Sequence, residues 1–200
     1  MTSALGIAEA GEIIRALSAR QSRPYRELPL VRLEALHEMA YLRMFLEWEN
    51  FLEASFLRMM CGYDSPLYSP QFASGKSRQR SLADAQLALY DGRDFILWHN
   101  PRYARDRGVK WFNTGPHETV VLSNFTRLEW FAAVRHRIAH GSEDAARKLD
   151  AATINLGGRR YRGASAGRFL RDWDTSVSPP QRWVHSIGDE LGRLAGQIAP

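Results

Sequence analysis

The chain is poor in cysteine, in lysine and in long apolar runs, and each shortage narrows what it can be. Only one of its 200 residues is a cysteine, Cys61, so no intramolecular disulfide and no cysteine-rich metal framework is possible, and a reducing compartment is the expected setting. Nowhere do eighteen apolar residues follow one another, as a membrane-spanning helix requires. The opening segment MTSALGIAEAGEIIRALSAR carries Glu9 and Glu12 where a secretory signal needs an unbroken apolar stretch, so the protein is expected in the cytoplasm. Internal repeats and low-complexity tracts are also lacking, which excludes solenoid and fibrous architectures. The lysines are Lys76, Lys110 and Lys148, so the cationic character rests on arginine.

What is there describes an ordinary folded chain with a basic bias. An apolar content of 44% and six tryptophans spread from Trp48 to Trp183 are enough for one hydrophobic core that uses nearly everything. The expectation is a single domain over 1–200, with 1–22 as an N-terminal helical extension. A formal charge of +5 and a pI near 9.6 favour a polyanionic partner. A general preference for arginine dilutes that overall figure. It does not explain the clustering in GGRRYRGASAGRFLR, Gly157 to Arg171, which holds five arginines and no acid.

Hydrophobic spacing reads as all-α. Ala4 to Arg20 suits an amphipathic helix with Ile7, Ile13, Ile14 and Leu17 on its apolar side, closed by SRPYRELP. Leu30 to Met60 has no proline or glycine, and apolar residues recur at three- and four-residue steps. Such a helix is about 46 Å long and can serve as a scaffold, with His37 packed and hydrogen-bonded on its apolar side. The segment Tyr63 to Ser81 reads as a basic loop, Leu82 to Tyr90 as a short helix, and Asn100-Pro101 as a helix start. ETVVLSN reads as a short extended segment ending at Ser123 or Asn124, either of which suits the cap of a helix from Phe125 to His140. Gly141 suits a left-handed end to that helix. Helices over Glu143–Ala152 and Pro180–Ile198 complete the set, with a small β-hairpin near 154–163 around Gly157-Gly158.

The chemistry concentrates in AAVRHRIAHGSED, Ala132 to Asp144. At about 100° per residue, with Arg135 set at zero, His136 lies near 100° and His140 near 140°, so the three share one sector of the helix, floored by Ala132 and Ala139. Phe131, Val134 and Ile138 lie on the opposite side and anchor it to the core. Glu129, two turns earlier in the polar sector, is placed to fix a histidine tautomer. Three readings remain open. HRIAH puts two histidines at i and i+4, a spacing that can grip one ion, with His117 or His99 as a third ligand. Arg137, however, stands where a zincin needs its glutamate. Alternatively, histidine supplies acid or base near neutral pH and arginine grips phosphate oxygens, the groups needed to cleave RNA without metal. The third reading is a structural helix with incidental histidines.

RHRIAH matches the R-(N/D/H)-x3-H signature of the HEPN superfamily. Arg135 resembles its arginine, His136 its polar second residue and His140 its histidine. With the long helix bearing FLEWENFLEASFLRMM, the AHG exit and the GRFL segment, the chain resembles the RiboL-PSP branch from roughly Leu30 to Ile198. That resemblance implies an α-helical bundle that homodimerises, two copies of the motif facing each other across a composite cleft. It also implies a metal-independent endoribonuclease without cofactor, of the kind found in toxin-antitoxin, phage-defence or RNA-processing systems, with a cognate antitoxin as a further partner. Other members of the superfamily are non-catalytic modules that bind RNA or nucleotides, or dimerise. The candidate catalytic residues are therefore Arg135, His136 and His140, and the candidate RNA-binding residues Arg159, Arg160, Arg162 and Arg168.

Overall fold

The computed structural model describes residues 2–20, 22–65 and 69–199. Among them are ten α-helices and two short antiparallel strand pairs, an all-α fold with a long helix. The helices are α1 (Thr2–Leu17), α2 (Arg23–Glu27), α3 (Leu30–Met60), α4 (Leu82–Tyr90), α5 (Pro101–Trp111), α6 (Pro116–Ser123), α7 (Phe125–Ala139), α8 (Glu143–Gly157), α9 (Ala166–Arg171) and α10 (Trp183–Ile198). Strand β1 (Gln71–Phe72) pairs with β2 (Phe112–Thr114), and β3 (Trp173–Asp174) with β4 (Gln181–Arg182). No helix among the described residues is long and apolar enough to cross a membrane. The chain divides into two compact units, Met1–Glu47 with Ala133–Glu190, and Trp48–Ala132 with Leu191–Pro200. Each is built from separate stretches of sequence.

In the first unit, α3 buries Leu33, Ala40, Tyr41, Met44 and Phe45, and α8, α9 and α10 bring Leu149, Phe169, Leu170, Trp183, Val184 and Ile187 into the core. Phe169 stacks on Trp183 with ring centroids 5.1 Å apart. Full burial of each large apolar side chain stabilises by about 1.5–3 kcal/mol. Gly167 lets α9 come close to α3: a Cβ there would lie 2.6 Å from the Glu34 carbonyl oxygen, and the Gly167 N–H donates to Glu38 Oε1 at 2.8 Å. His37 is buried, with Nδ1 2.8 Å from the Leu33 carbonyl, as its position in the apolar pattern suggests.

Helix α1 faces the other way from the expectation. Ile7, Ile13, Ile14 and Leu17 are all exposed, Leu17 at 83%, while Ala8, Gly11 and Glu12 turn inward. The reason is an ion-pair anchor. Glu12 accepts two hydrogen bonds from Arg171 at 2.5 and 3.1 Å and lies 3.4 Å from Arg182, and the absence of a side chain at Gly11 makes room for Leu33. Burial alone would raise the Glu12 pKa, but Arg171 and Arg182 more than offset this and hold it below the usual carboxylate range.

In the second unit Phe56 is the hub, with the rings of Trp98, Phe112 and His117 at 5.5, 5.4 and 5.1 Å. Glu53 accepts hydrogen bonds from Tyr90 Oη at 2.9 Å and Trp98 Nε1 at 3.0 Å, fixing two aromatic rings with one carboxylate. Asn100 caps α5 with Pro101 in its first turn, as the sequence suggests. The ETVVLSN stretch is helical (α6) rather than extended. Pro116 opens the helix, and burial of Val120 and Val121 outweighs their β-branching.

Three other expectations need correction. Residues 154–157 close α8, so the hairpin is not at 154–163; the small antiparallel pair sits later, at β3 and β4. Gly141 has no left-handed conformation, because Ser142 immediately caps α8 by accepting from the Ala145 N–H. Asn124 does stand at the start of α7, its carbonyl accepting from the Leu128 N–H at 2.9 Å, but its side-chain amide serves the preceding helix, donating to the Val120 carbonyl at 2.8 Å. The Tyr63–Ser81 loop contains β1, and its residues 66–68 lie outside the described residues.

Candidate functional site

The RHRIAH motif closes α7. The N–H of His140 still bonds to the His136 carbonyl at 2.9 Å, so the helical phase carries through the second histidine. Phe131 and Val134 are fully buried, which fixes that side of the helix inward, while Arg135 and His136 are half-buried like Ile138 and His140 is exposed. The two imidazoles lie against each other, ring centroids 4.7 Å apart and tilted by 52°.

Helix α8 completes the surroundings. Asp144, in its first turn, pairs with Lys148 at 2.7 Å and Arg147 at 3.1 Å. The His136 pKa is lowered, chiefly by burial, then by the charges of His140, Lys148 and Arg135, with Asp144 opposing. At neutral pH His136 is therefore a neutral imidazole able to accept a proton, next to a second, exposed imidazole and within the field of a guanidinium. Glu129, expected to fix a histidine, is exposed and makes no hydrogen bond or ion pair among the described residues. Asp144 is the carboxylate whose charge acts on His136.

The four candidate RNA-binding arginines do not form one group. Arg159 is paired with Asp172, which also accepts a hydrogen bond from Tyr161. Arg168 pairs with Glu34 at 3.0 Å. Arg160 and Arg162 are exposed and have no ion-pair partner among the described residues. Arg137, the residue in the zincin glutamate position, has a role that sequence reasoning missed. Its Nε donates to the Ala164 carbonyl at 3.0 Å, fastening the Arg162–Ala164 turn to the helical turn that carries His136 and His140. The only hint in the sequence is a cation on the half-buried flank of the motif.

The proposed third metal ligands are engaged elsewhere. His117 is completely buried, and burial drives its pKa down to about 3. The Ser55 hydroxyl donates to the Phe51 carbonyl at 2.7 Å, so the 2.8 Å contact between Ser55 Oγ and His117 Nε2 has the imidazole as donor. His99 faces Glu49 at 3.6 Å. Among the described residues, no group of three or more histidine, cysteine, aspartate or glutamate side chains is arranged to hold a metal ion. The chain matches no protein-family profile, no curated protein and no solved structure.

Proposed function

We infer that the protein is a metal-independent endoribonuclease of the HEPN type, with Arg135, His136 and His140 as its working groups. The observation that carries this reading is the His136–His140 pair, 4.7 Å between centroids, on the accessible end of the helix that also bears Arg135. In this scheme the neutral His136 takes the proton of a ribose 2′-OH, the 2′ oxygen attacks phosphorus, and the bond to the 5′ oxygen breaks as His140 supplies its proton. Arg135 offsets the charge that builds on the phosphoryl oxygens. The products are a 2′,3′-cyclic phosphate and a 5′-OH end. The Arg162 turn, held to α7 by Arg137, supports an RNA path along this face. A homodimer that apposes two motifs, a cytoplasmic location, and a role in toxin-antitoxin, phage-defence or RNA-processing systems with a cognate antitoxin belong to the same proposal.

The test is incubation of purified protein with total RNA in EDTA. Cleavage that persists with chelator and falls by about 10²–10⁴ in Arg135→Ala and His140→Ala supports the reading. Loss of cleavage on chelation alone favours a metal. A non-catalytic binding module retains RNA on a filter while leaving every strand intact, and incidental histidines leave both variants like the wild type. Light scattering that finds only monomer in an active protein removes the composite cleft.

A further inference from the structure

A polar cavity of about 380 Å³ opens in the first unit, its lining including Glu9, Trp173, Gln181, Arg182, His185 and Asp189 and none of the RHRIAH residues. Its size falls at the lower end of the small-molecule range. The β3–β4 pair builds it, setting Trp173 opposite Arg182 and Asp174 opposite Gln181, while His185 and Asp189 project from one face of α10 four residues apart and Glu9 comes from α1. Three features are those of a binding site rather than of plain surface. Trp173 is 54% exposed, an unusual state for the largest apolar side chain, and the Arg182 guanidinium lies over its ring at 5.1 Å. The Asp189 carboxylate is oriented by the Gln181 amide at 3.1 Å. Neither Asp189 nor Glu9 has a cationic partner among the described residues, in a protein with a net charge of +5.

We propose that this cavity binds a guanine base, stacked on Trp173 and read along its Watson–Crick edge by Asp189. The lining dictates the choice. A carboxylate accepts only, and guanine alone among the common bases presents two adjacent donors, N1–H and the exocyclic N2 amine, to one carboxylate. Among the remaining lining groups Arg182 donates only, and the His185 ring and the Gln181 amide can each donate, which suits guanine O6 and N7. A purely cationic ligand such as an arginine or lysine side chain would find acceptors in Asp189 and Glu9 but face the like charge of Arg182. Stacking on an exposed indole is how proteins hold unpaired bases.

Calorimetric titration with guanosine, adenosine, cytidine, uridine and xanthosine 5′-monophosphates tests this. The guanosine nucleotide binds at least tenfold tighter than the other three common ones, and Trp173→Ala loses at least tenfold. Asp189→Asn moves the preference from guanosine to xanthosine, whose C2 carbonyl meets the new amide donor. That exchange separates recognition from misfolding, because a damaged protein gains no ligand. A uridine oligoribonucleotide containing one guanosine distinguishes the source of the base. Binding tighter than the monophosphate assigns the site to an RNA strand, and equal binding assigns it to a free nucleotide. Equal affinity for all bases, indifference to Trp173→Ala, or displacement by an arginine-rich peptide overturns the proposal. Binding is read without turnover, and Arg135→Ala retains it, so its failure is independent of failure of the nuclease reading.

Discussion

His37 and His117 can be set against His136 and His140. The first two are buried at 1% and 0% exposure, each with a ring nitrogen committed to a neighbour, Leu33 in one case and Ser55 in the other. The second two lie at a helix end, against each other and within the field of Lys148 and Arg135. Burial lowers the pKa of His37, His117 and His136 alike, yet the consequence differs. A sealed neutral imidazole is a packing element whose proton chemistry appears only as acid sensitivity of the fold. A half-buried one remains within reach of a substrate proton. The arginines divide the same way: Arg159, Arg168 and Arg171 are held by carboxylates of the fold, whereas Arg160 and Arg162 are exposed and have no ion-pair partner among the described residues.

The largest test of this contrast is stability. His117→Ala opens space beside Phe56 and removes the partner of Ser55, and should destabilise the protein by about 2–4 kcal/mol. His140→Ala, at an exposed helix end, should stay within about 0.5 kcal/mol of the wild type. Denaturant unfolding measures both, and similar costs at the two sites would break the contrast. The pH dependence follows with its sign. The folded-state pKa of His117 is lowered to about 3 from the ordinary imidazole value of about 6.5, so between those values the unfolded chain binds the extra proton. Its contribution to stability is complete above pH 6.5 and declines as the pH falls, by up to about 1.4 kcal/mol per pH unit. His37 acts in the same direction. Between pH 6.5 and 5, above the carboxylate range, His117→Phe should show a shallower slope than the wild type.

How much of this was legible in the sequence follows from the range of the interactions involved. Helices α3 and α4 could be read residue by residue, because their starts and stops are local: uninterrupted apolar spacing in one, a serine cap and a left-handed Asp91 in the other. The motif could be read as well, since Arg135, His136 and His140 share a sector by helical geometry alone. The orientation of α1 could not, because Glu12 and Arg171 are 159 positions apart and their pairing overrides the apolar moment. The pairing of Arg168 with Glu34, across 134 positions, was hidden for the same reason, so four arginines close in sequence resembled one surface. Helix α6 was missed because adjacent valines favour strand locally and only tertiary burial makes them helical.

The arginine division gives a test of intermediate size. If Arg160 and Arg162 each neutralise one RNA phosphate, Arg160→Gln with Arg162→Gln should flatten the slope of log affinity against log salt by about 1.4 for single-stranded RNA. Arg159→Gln and Arg168→Gln should change that slope much less. Instead, each loses a partly exposed ion pair worth up to about 1 kcal/mol of stability. Filter binding at several salt concentrations separates the two pairs. If Arg159→Gln combined with Arg168→Gln flattened the slope as much as the Arg160 and Arg162 pair, the intramolecular carboxylates would be releasing their partners to RNA.

The smallest effect bears most directly on the open histidine pair. Lys148 lowers the His136 pKa and Asp144 raises it, and the two side chains are themselves paired at 2.7 Å. Lys148→Gln should therefore shift the His136 titration upward and Asp144→Asn downward, read from the imidazole C2 proton by NMR. Both groups are about half exposed, so the shifts should be small at low salt and shrink as the Debye length contracts. If His136 is the proton acceptor, the acid limb of the RNA cleavage profile moves with it, toward higher pH in Lys148→Gln and lower pH in Asp144→Asn. An acid limb that stays fixed while the NMR titration moves would transfer the accepting role from His136 to another group. His117→Phe should leave that limb where it is, because a sealed imidazole exchanges no proton with a substrate.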